Sequence, residues 1–473
     1  MPSVTRRTAL RSVAALPAAI AASPGLAQPA APAVIPPPQR LADRPWFGAV
    51  TWTMPNGLRV VLAESRRVPV VSHYLYYAAG AGEDPGGRSG TAHFLEHMMF
   101  KGSRNLAPGA LSLAVAREGG QDNAFTSRDV TAYHQTVEAS RLPLVMRMEA
   151  DRFAYPLLPA ETVEAERAVI LEERGQRTGS NPRARFWEAF EAAMWGPQHW
   201  RGRPIIGWEE EIRAITLADL RAFYDRRYAP SNAVLVVTGD AREATVRALA
   251  EEFYGVVPPR PATLRDRVAP AAAPSQARLV EHDPAVREAG FIRAAMAPSL
   301  TFGDSSHAWP LEVLAHLLGS GPGSRLHRAL VETGLATSAS AAYDSETVGV
   351  ASLTMSATCR PGIAPEELEA AVDATIAALL QDGPTEAECA RSIRQLTAGA
   401  VLSLDGIGAA PRMLGGVLAI GLPVEQVEFW PRYLRAVTQP QVTAAARAVL
   451  GSPVGTTGWL LPGEAPARAG APT

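Results

Sequence analysis

The sequence predicts an α+β protein built from two homologous α/β domains, and three observations carry that expectation. A chain of 473 residues is too long for one compact core, so at least two domains are required. Strand-like and helix-like segments alternate along the first half. A proline-rich break with Pro258, Pro259, Pro261, Pro270 and Pro274 then divides the chain, and the order of segments begins again beyond it.

Taken in order, the first stretch stands outside the fold. Residues 1–27 contain Arg6, Arg7 and Arg11 and no acid, followed by an apolar run from Val13 to Ala22. Gly25-Leu26-Ala27 then supplies small residues at the −3 and −1 positions of a cleavage site. That layout is a signal peptide, and Thr5-Arg6-Arg7-Thr8-Ala9-Leu10 has the form of a bacterial twin-arginine signal. The expectation is an exported, periplasmic protein without a stable membrane anchor. Removing the segment changes the formal charge from −2 to −2 − 3 = −5. Residues 28–45 are a Pro/Ala-rich leader, extended by composition.

The expected domains are 46–257, carrying the chemistry, and 276–465, joined by a linker at 258–275. In the first, Gly57–Leu62 and Val70–Tyr76 read as strands, rich in β-branched and aromatic residues. Thr91–Phe100 has helical character, and Leu111–Glu118 is a helix stopped by Gly119-Gly120. Asn123–Ser127 and Thr131–Val137 pair as strands around Arg128-Asp129. Helical patterns start at Leu142 and Ala160, and Ala233–Thr238 is a further strand. Beyond the linker, strands around Leu279 and Phe291–Met296 precede an apolar helix from Trp309 to Leu318. Laying Leu311–His316 over Ala92–His97 supports an internal repeat, with Glu312 and Ala315 standing where the first copy has His93 and Glu96.

Charges of both signs are scattered and no basic patch stands out, which argues against nucleic acid as a partner. Cys359 and Cys389 are the only cysteines and neither lies in a C-x-x-C arrangement, which excludes a cysteine-ligated zinc. Whether they pair is left open, because sequence gives no Cα separation.

The chemistry is concentrated in Ala92-His93-Phe94-Leu95-Glu96-His97. Residues four apart share a helix face, so His93 and His97 can present two imidazoles to one metal ion. Glu96 projects beside that face, placed to take a proton from a metal-bound water rather than to bind the metal. A catalytic zinc needs a third protein ligand and an open position. The acid-rich stretch Glu161–Arg174 offers candidates: Glu166 and Glu173 lie two helical turns apart on one face, and Glu172 points away from Glu173.

His93–Ser103 (HFLEHMMFKGS) resembles the hallmark of the pitrilysin, insulinase and mitochondrial processing peptidase family, whose inverted motif defines the inverzincin zinc metallopeptidases. Asn123–Asp129 with Thr131–His134, Glu166–Glu173, Pro204–Gly207, Asp219–Asn232 and Gly319–Leu335 match the family in order, over about residues 46–462. The resemblance implies a processing-peptidase-like fold with mostly antiparallel sheets packed with helices. It also implies one Zn2+ per chain, bound by His93, His97 and Glu173, the last at 173 − 97 = 76 residues past the second histidine. Glu96 would be the catalytic base, Glu166 a carboxylate orienting a ligand or the water, and Asn123, Ala124, Phe125 and Thr126 the strand that binds an extended peptide. The implied function is zinc-dependent endopeptidase, with a non-catalytic assembly or chaperone subunit as the alternative.

The chain departs from the family in the second half, where Val331 stands near the position that active relatives fill with arginine and Thr337 at the one they fill with tyrosine. Relatives of this length resemble half of a clam-shell. The expected partner is therefore a second chain, as a homodimer or as a heterodimer with a related subunit lacking the metal site.

Overall fold

In the computed structural model, residues 44–261, 265, 277–404, 406–451 and 455–463 are described. The signal segment, nearly all of the 28–45 leader and most of the expected linker lie outside them.

The first sheet has six strands: β1 (Val50–Thr53), β2 (Arg59–Glu64), β3 (Val70–Tyr77), β4 (Gln121–Thr126), β5 (Thr131–Glu138) and β6 (Ala233–Gly239). The second has five: β7 (Ala277–Asp283), β8 (Gly290–Ala297), β9 (Ala336–Ala342), β10 (Ala351–Cys359) and β11 (Thr456–Pro462). The spatial orders are β1-β2-β6-β3-β5-β4 and β7-β11-β8-β10-β9. Replacing β2–β6 by β7–β11 in sequence turns the first order into the second, with β1 as an added edge. The directions agree too. The β2–β6 and β7–β11 pairs are parallel, and every other pair is antiparallel. The fold is thus α+β, with two mostly antiparallel sheets packed with helices.

Five helices matter below: α1 (Thr91–Met98), α2 (Val163–Arg174), α3 (Pro182–Trp195), α4 (Ala308–Gly319) and α5 (Ala409–Ala419). Strand β3 is buried along almost its whole length because both of its faces are covered. Side chains alternate across a strand. Val71, Leu75 and Tyr77 join the core shared with Phe94, Leu95 and Met98 of α1, whereas Tyr74 and Tyr76 meet Leu414, Val417 and Leu418 of α5. A helix from the second half therefore covers the first sheet. The cover is reciprocal, since Phe186 of α3 packs with Leu460, and Phe190 and Met194 pack with Ala294 of the second sheet. The approach of α5 is so close that a Cβ on Gly415 would sit 2.1 Å from the Tyr76 ring.

Cys359 and Cys389 are both buried and both free thiols. Among the described residues, no helix is long and apolar enough to cross a membrane.

Candidate metal centre

Helix α1 begins abruptly. Gly90 precedes it with φ +90°, a left-handed conformation that side chains disfavour, and a Cβ there would fall 2.4 Å from the Ile206 carbonyl oxygen. The buried Asp84 carboxylate accepts from the Gly90 N–H (2.7 Å) and the Ala92 N–H (2.8 Å), satisfying donors that a helix start leaves unpaired. Phe94, Leu95 and Met98 anchor one face in the core, which turns His93 and His97 together towards α2.

There the two helices bring together the three residues expected to bind metal. One donor atom each from His93, His97 and Glu173 lies within 4.8 Å of the others. Glu173 Oε2 is 3.8 Å from His93 Nε2 and 3.5 Å from His97 Nε2. Tetrahedral zinc with ligand bonds of about 2.1 Å separates its donor atoms by about 3.4 Å, so the set is close to ligand geometry. Burial, the nearby His97 and the Arg177 charge push His93 down to about 3, so its imidazole is neutral, the form that binds metal. Two imidazole nitrogens and one carboxylate oxygen at this spacing are a donor set that a divalent metal takes, and the residues present therefore fit one.

Surrounding groups orient these donors. Glu166 Oε2 lies 3.3 Å from His97 Nδ1, and its other oxygen pairs with Lys101. This is the carboxylate–imidazole arrangement that fixes the tautomer of a ligating histidine. Arg177 Nη1 holds Glu173 Oε1 at 2.7 Å, leaving Oε2 towards the histidines. It is carried by a π-helical turn, Gly175–Gly179, that continues α2.

Glu96 stands beside the donor set and outside it. It is buried, and its Oε2 accepts a 2.5 Å hydrogen bond from Thr126 Oγ1. Burial pushes its carboxyl up to about 7, against the pull of the Thr126 hydrogen bond. A carboxylate poised there can both take and return a proton near neutral pH.

Asn123, Ala124, Phe125 and Thr126 all line a cavity of about 660 Å³ that also contains His93, Glu96, His97 and Glu173. They belong to β4, which ends its sheet and pairs only with β5. Sequence reasoning missed other parts of this wall. Arg128 pairs with Glu191, and Arg174 holds Glu188 bidentately. Trp187, 40% exposed, and Ile205 add apolar surface. Only Arg177 carried a local signal, as an acid–base pair four residues after Glu173 on a helix.

The second repeat keeps the scaffold and loses the chemistry. In α4, Glu312 is half-buried and accepts from the Ser345 N–H at 3.1 Å. Among the described residues, His93, His97 and Glu173 form the only cluster of three or more potential ligands.

A helix-borne pair of histidines with an intervening glutamate, a third carboxylate from a neighbouring helix and a duplicated α+β scaffold define an inverzincin-type metallopeptidase architecture. Residues 59–205 match the family described as Insulinase (Peptidase family M16), and residues 214–396 match the Peptidase M16 inactive domain. The chain is 31% identical over 412 residues to an uncharacterized zinc protease of Mycobacterium leprae, covering 85% of this chain and 89% of that protein. It is 27% identical over 407 residues to the mitochondrial-processing peptidase subunit beta of Blastocladiella emersonii, covering 83% and 84%. A protease from Helicobacter pylori superposes with a TM-score of 0.78 at 25% identity, over 89% of this chain and all of that one. The periplasmic protease PqqL from Escherichia coli shares the fold (TM-score 0.75, 19% identity), with 89% of this chain matched to 48% of that one. The chain belongs to peptidase family M16, the insulinase family.

Proposed function

We propose that this chain is a zinc-dependent endopeptidase that cleaves extended peptides or unfolded segments. The observation that carries the reading is Glu96, a buried carboxylate adjacent to the three-donor set but not part of it. A purely structural zinc site has no use for such a group. One zinc, held by His93, His97 and Glu173, would supply an acidified water and polarise the scissile carbonyl. Glu96 takes the water's proton and returns it to the leaving amine. Thr126 fixes one oxygen of Glu96, so the proton moves at the other. The β4 edge aligns the peptide by backbone hydrogen bonds, which favours extended chains over folded ones.

The rival reading, a non-catalytic assembly subunit, draws on the inactive-domain match. That match lies mostly in the half where Glu312 and Ala315 replace His93 and Glu96, so it describes the second repeat. We further propose a periplasmic location and a two-chain active form. The latter is supported by the correspondence of this chain to about half of the PqqL chain.

The test is hydrolysis of a mixed peptide library by the mature chain, with and without chelator, alongside the zinc content of variants. Glu96→Gln should retain about one zinc and lose activity by on the order of 10²–10⁴. His93→Ala and Glu173→Ala should lose both. Glu173→Ala retaining full zinc and activity would remove Glu173 from the ligand set.

A further inference from the structure

Lys101 is the only lysine in the chain; the other 45 − 1 = 44 members of the Lys+Arg set are arginine. That single ammonium sits three residues past the end of α1, with its backbone N–H closing on the Met98 carbonyl at 3.0 Å. Its Nζ pairs with Oε1 of Glu166, whose Oε2 lies 3.3 Å from His97 Nδ1. Both side chains are largely withdrawn from water, Lys101 at 27% and Glu166 at 11% exposure.

Two partners share two oxygens here, and the chemistry of the cation decides whether both can be served. A guanidinium is a planar fork that engages both oxygens of a carboxylate, as Arg174 does with Glu188 and Arg325 with Glu388 elsewhere in this chain. An ammonium is a compact point charge that can satisfy one oxygen and leave the other. Arginine serves every other basic position in this chain. Lysine stands at the position where a fork would compete with a histidine for the same carboxylate.

We propose that Lys101 is a positioning residue for the metal centre. Its ammonium holds Glu166 by Oε1 and keeps Oε2 for His97 Nδ1, so that the imidazole presents Nε2 to the metal. Lys101 touches neither metal nor substrate and acts only through Glu166. The inference rests on the reading of His97 as a zinc ligand.

The experiment measures zinc affinity of the metal-free full chain by competition with a chromogenic chelator, with thermal unfolding of each metal-free form as the fold control. Lys101→Met and Lys101→Arg should each bind zinc 10- to 100-fold more weakly than wild type, the usual cost of disturbing a group behind a metal ligand. Metal-free unfolding should be little changed. The Lys101→Met/Glu166→Gln double variant should be no weaker than Glu166→Gln alone, because the two act in series. Lys101→Met or Lys101→Arg with wild-type affinity would overturn the proposal, as would a double variant whose loss is the product of the two single losses. A wild-type chain that binds no zinc would instead overturn the metal reading itself, and the proposal with it. Should the variants fail to fold, amine-directed acylation of the folded wild-type chain neutralises the same group, the α-amino terminus being the only other amine. Chains shown by peptide mapping to be acylated at Lys101 should bind zinc at least 10-fold more weakly, and unchanged affinity would overturn the proposal.

Discussion

Two neighbouring glycines in α5 should respond to the same substitution with opposite signs. Gly415 faces the first sheet, where an added Cβ would lie 2.1, 2.5 and 2.7 Å from three atoms of the Tyr76 ring. Carbon atoms in contact prefer about 3.5–4.0 Å, so helix or ring must move by more than 1 Å. Tyr76 is almost fully buried and cannot swing into solvent. Overpacking of this kind costs about 3 kcal/mol, from which alanine's better helix propensity recovers about 1 kcal/mol. Gly415→Ala should therefore destabilise by about 2 kcal/mol. An added Cβ on Gly416 meets nothing within 4 Å, so Gly416→Ala should instead gain about 1 kcal/mol from propensity alone. The assay is thermal unfolding of the two variants and wild type, with hydrogen exchange read over residues 409–419. Gly416→Ala should unfold highest and Gly415→Ala lowest, with helix amides exchanging faster in Gly415→Ala. Equal effects of the two substitutions, or a stabilised Gly415→Ala, would refute the reasoning that contact with Tyr76 sets the packing of α5.

Thr126→Val should move the acid limb of the pH–activity profile. The lost hydrogen bond stabilised the ionised form of Glu96, burial is then opposed only by the more distant Arg177 and Arg152 charges, and the half-maximal point rises by on the order of one pH unit. An unchanged limb would detach Thr126 from the base. Specific activity should fall on dilution as a two-chain assembly dissociates, followed by light scattering; constant activity in a strictly monomeric sample would remove the case for a partner. Residues 1–27 should be absent from the mature protein, and Arg6→Lys with Arg7→Lys should block export by the twin-arginine route. Continued export of that double variant would point to the general secretory pathway.

Local patterns were legible because they are short-range. The His93–His97 pairing follows from four-residue spacing on one helix, and the pairing of Asn123–Ser127 with Thr131–Val137 follows from the turn residues between them. The strands at Val70 and Ala233 and the helix at Leu142 were placed within a few residues by composition alone. Strand β1 was missed because Val50–Thr53 is only four residues long, too short to show a strand period, although Pro55-Asn56-Gly57 marks the turn that joins it to β2. Glu173 could not be chosen over Glu166 from the helix face both share. Resemblance made that choice, and the fold now shows the difference, with Glu173 Oε2 facing both histidines and Glu166 behind one of them.

The sequence by itself determined the inverted His-x-x-Glu-His motif, the duplicated order of segments and the loss of His93 and Glu96 counterparts in the second copy. Only tertiary structure decided which distant groups meet them. It put Thr126 on Glu96 from a strand thirty residues away (126 − 96 = 30), Asp84 under the start of α1, and Lys101 on Glu166 between two helices. It also exchanged α3 and α5 between the two sheets. Motifs are fixed by covalent spacing and helical period, whereas these contacts exist only because two apolar sheet faces must each be covered, and the helices that cover them come from the opposite half of the chain.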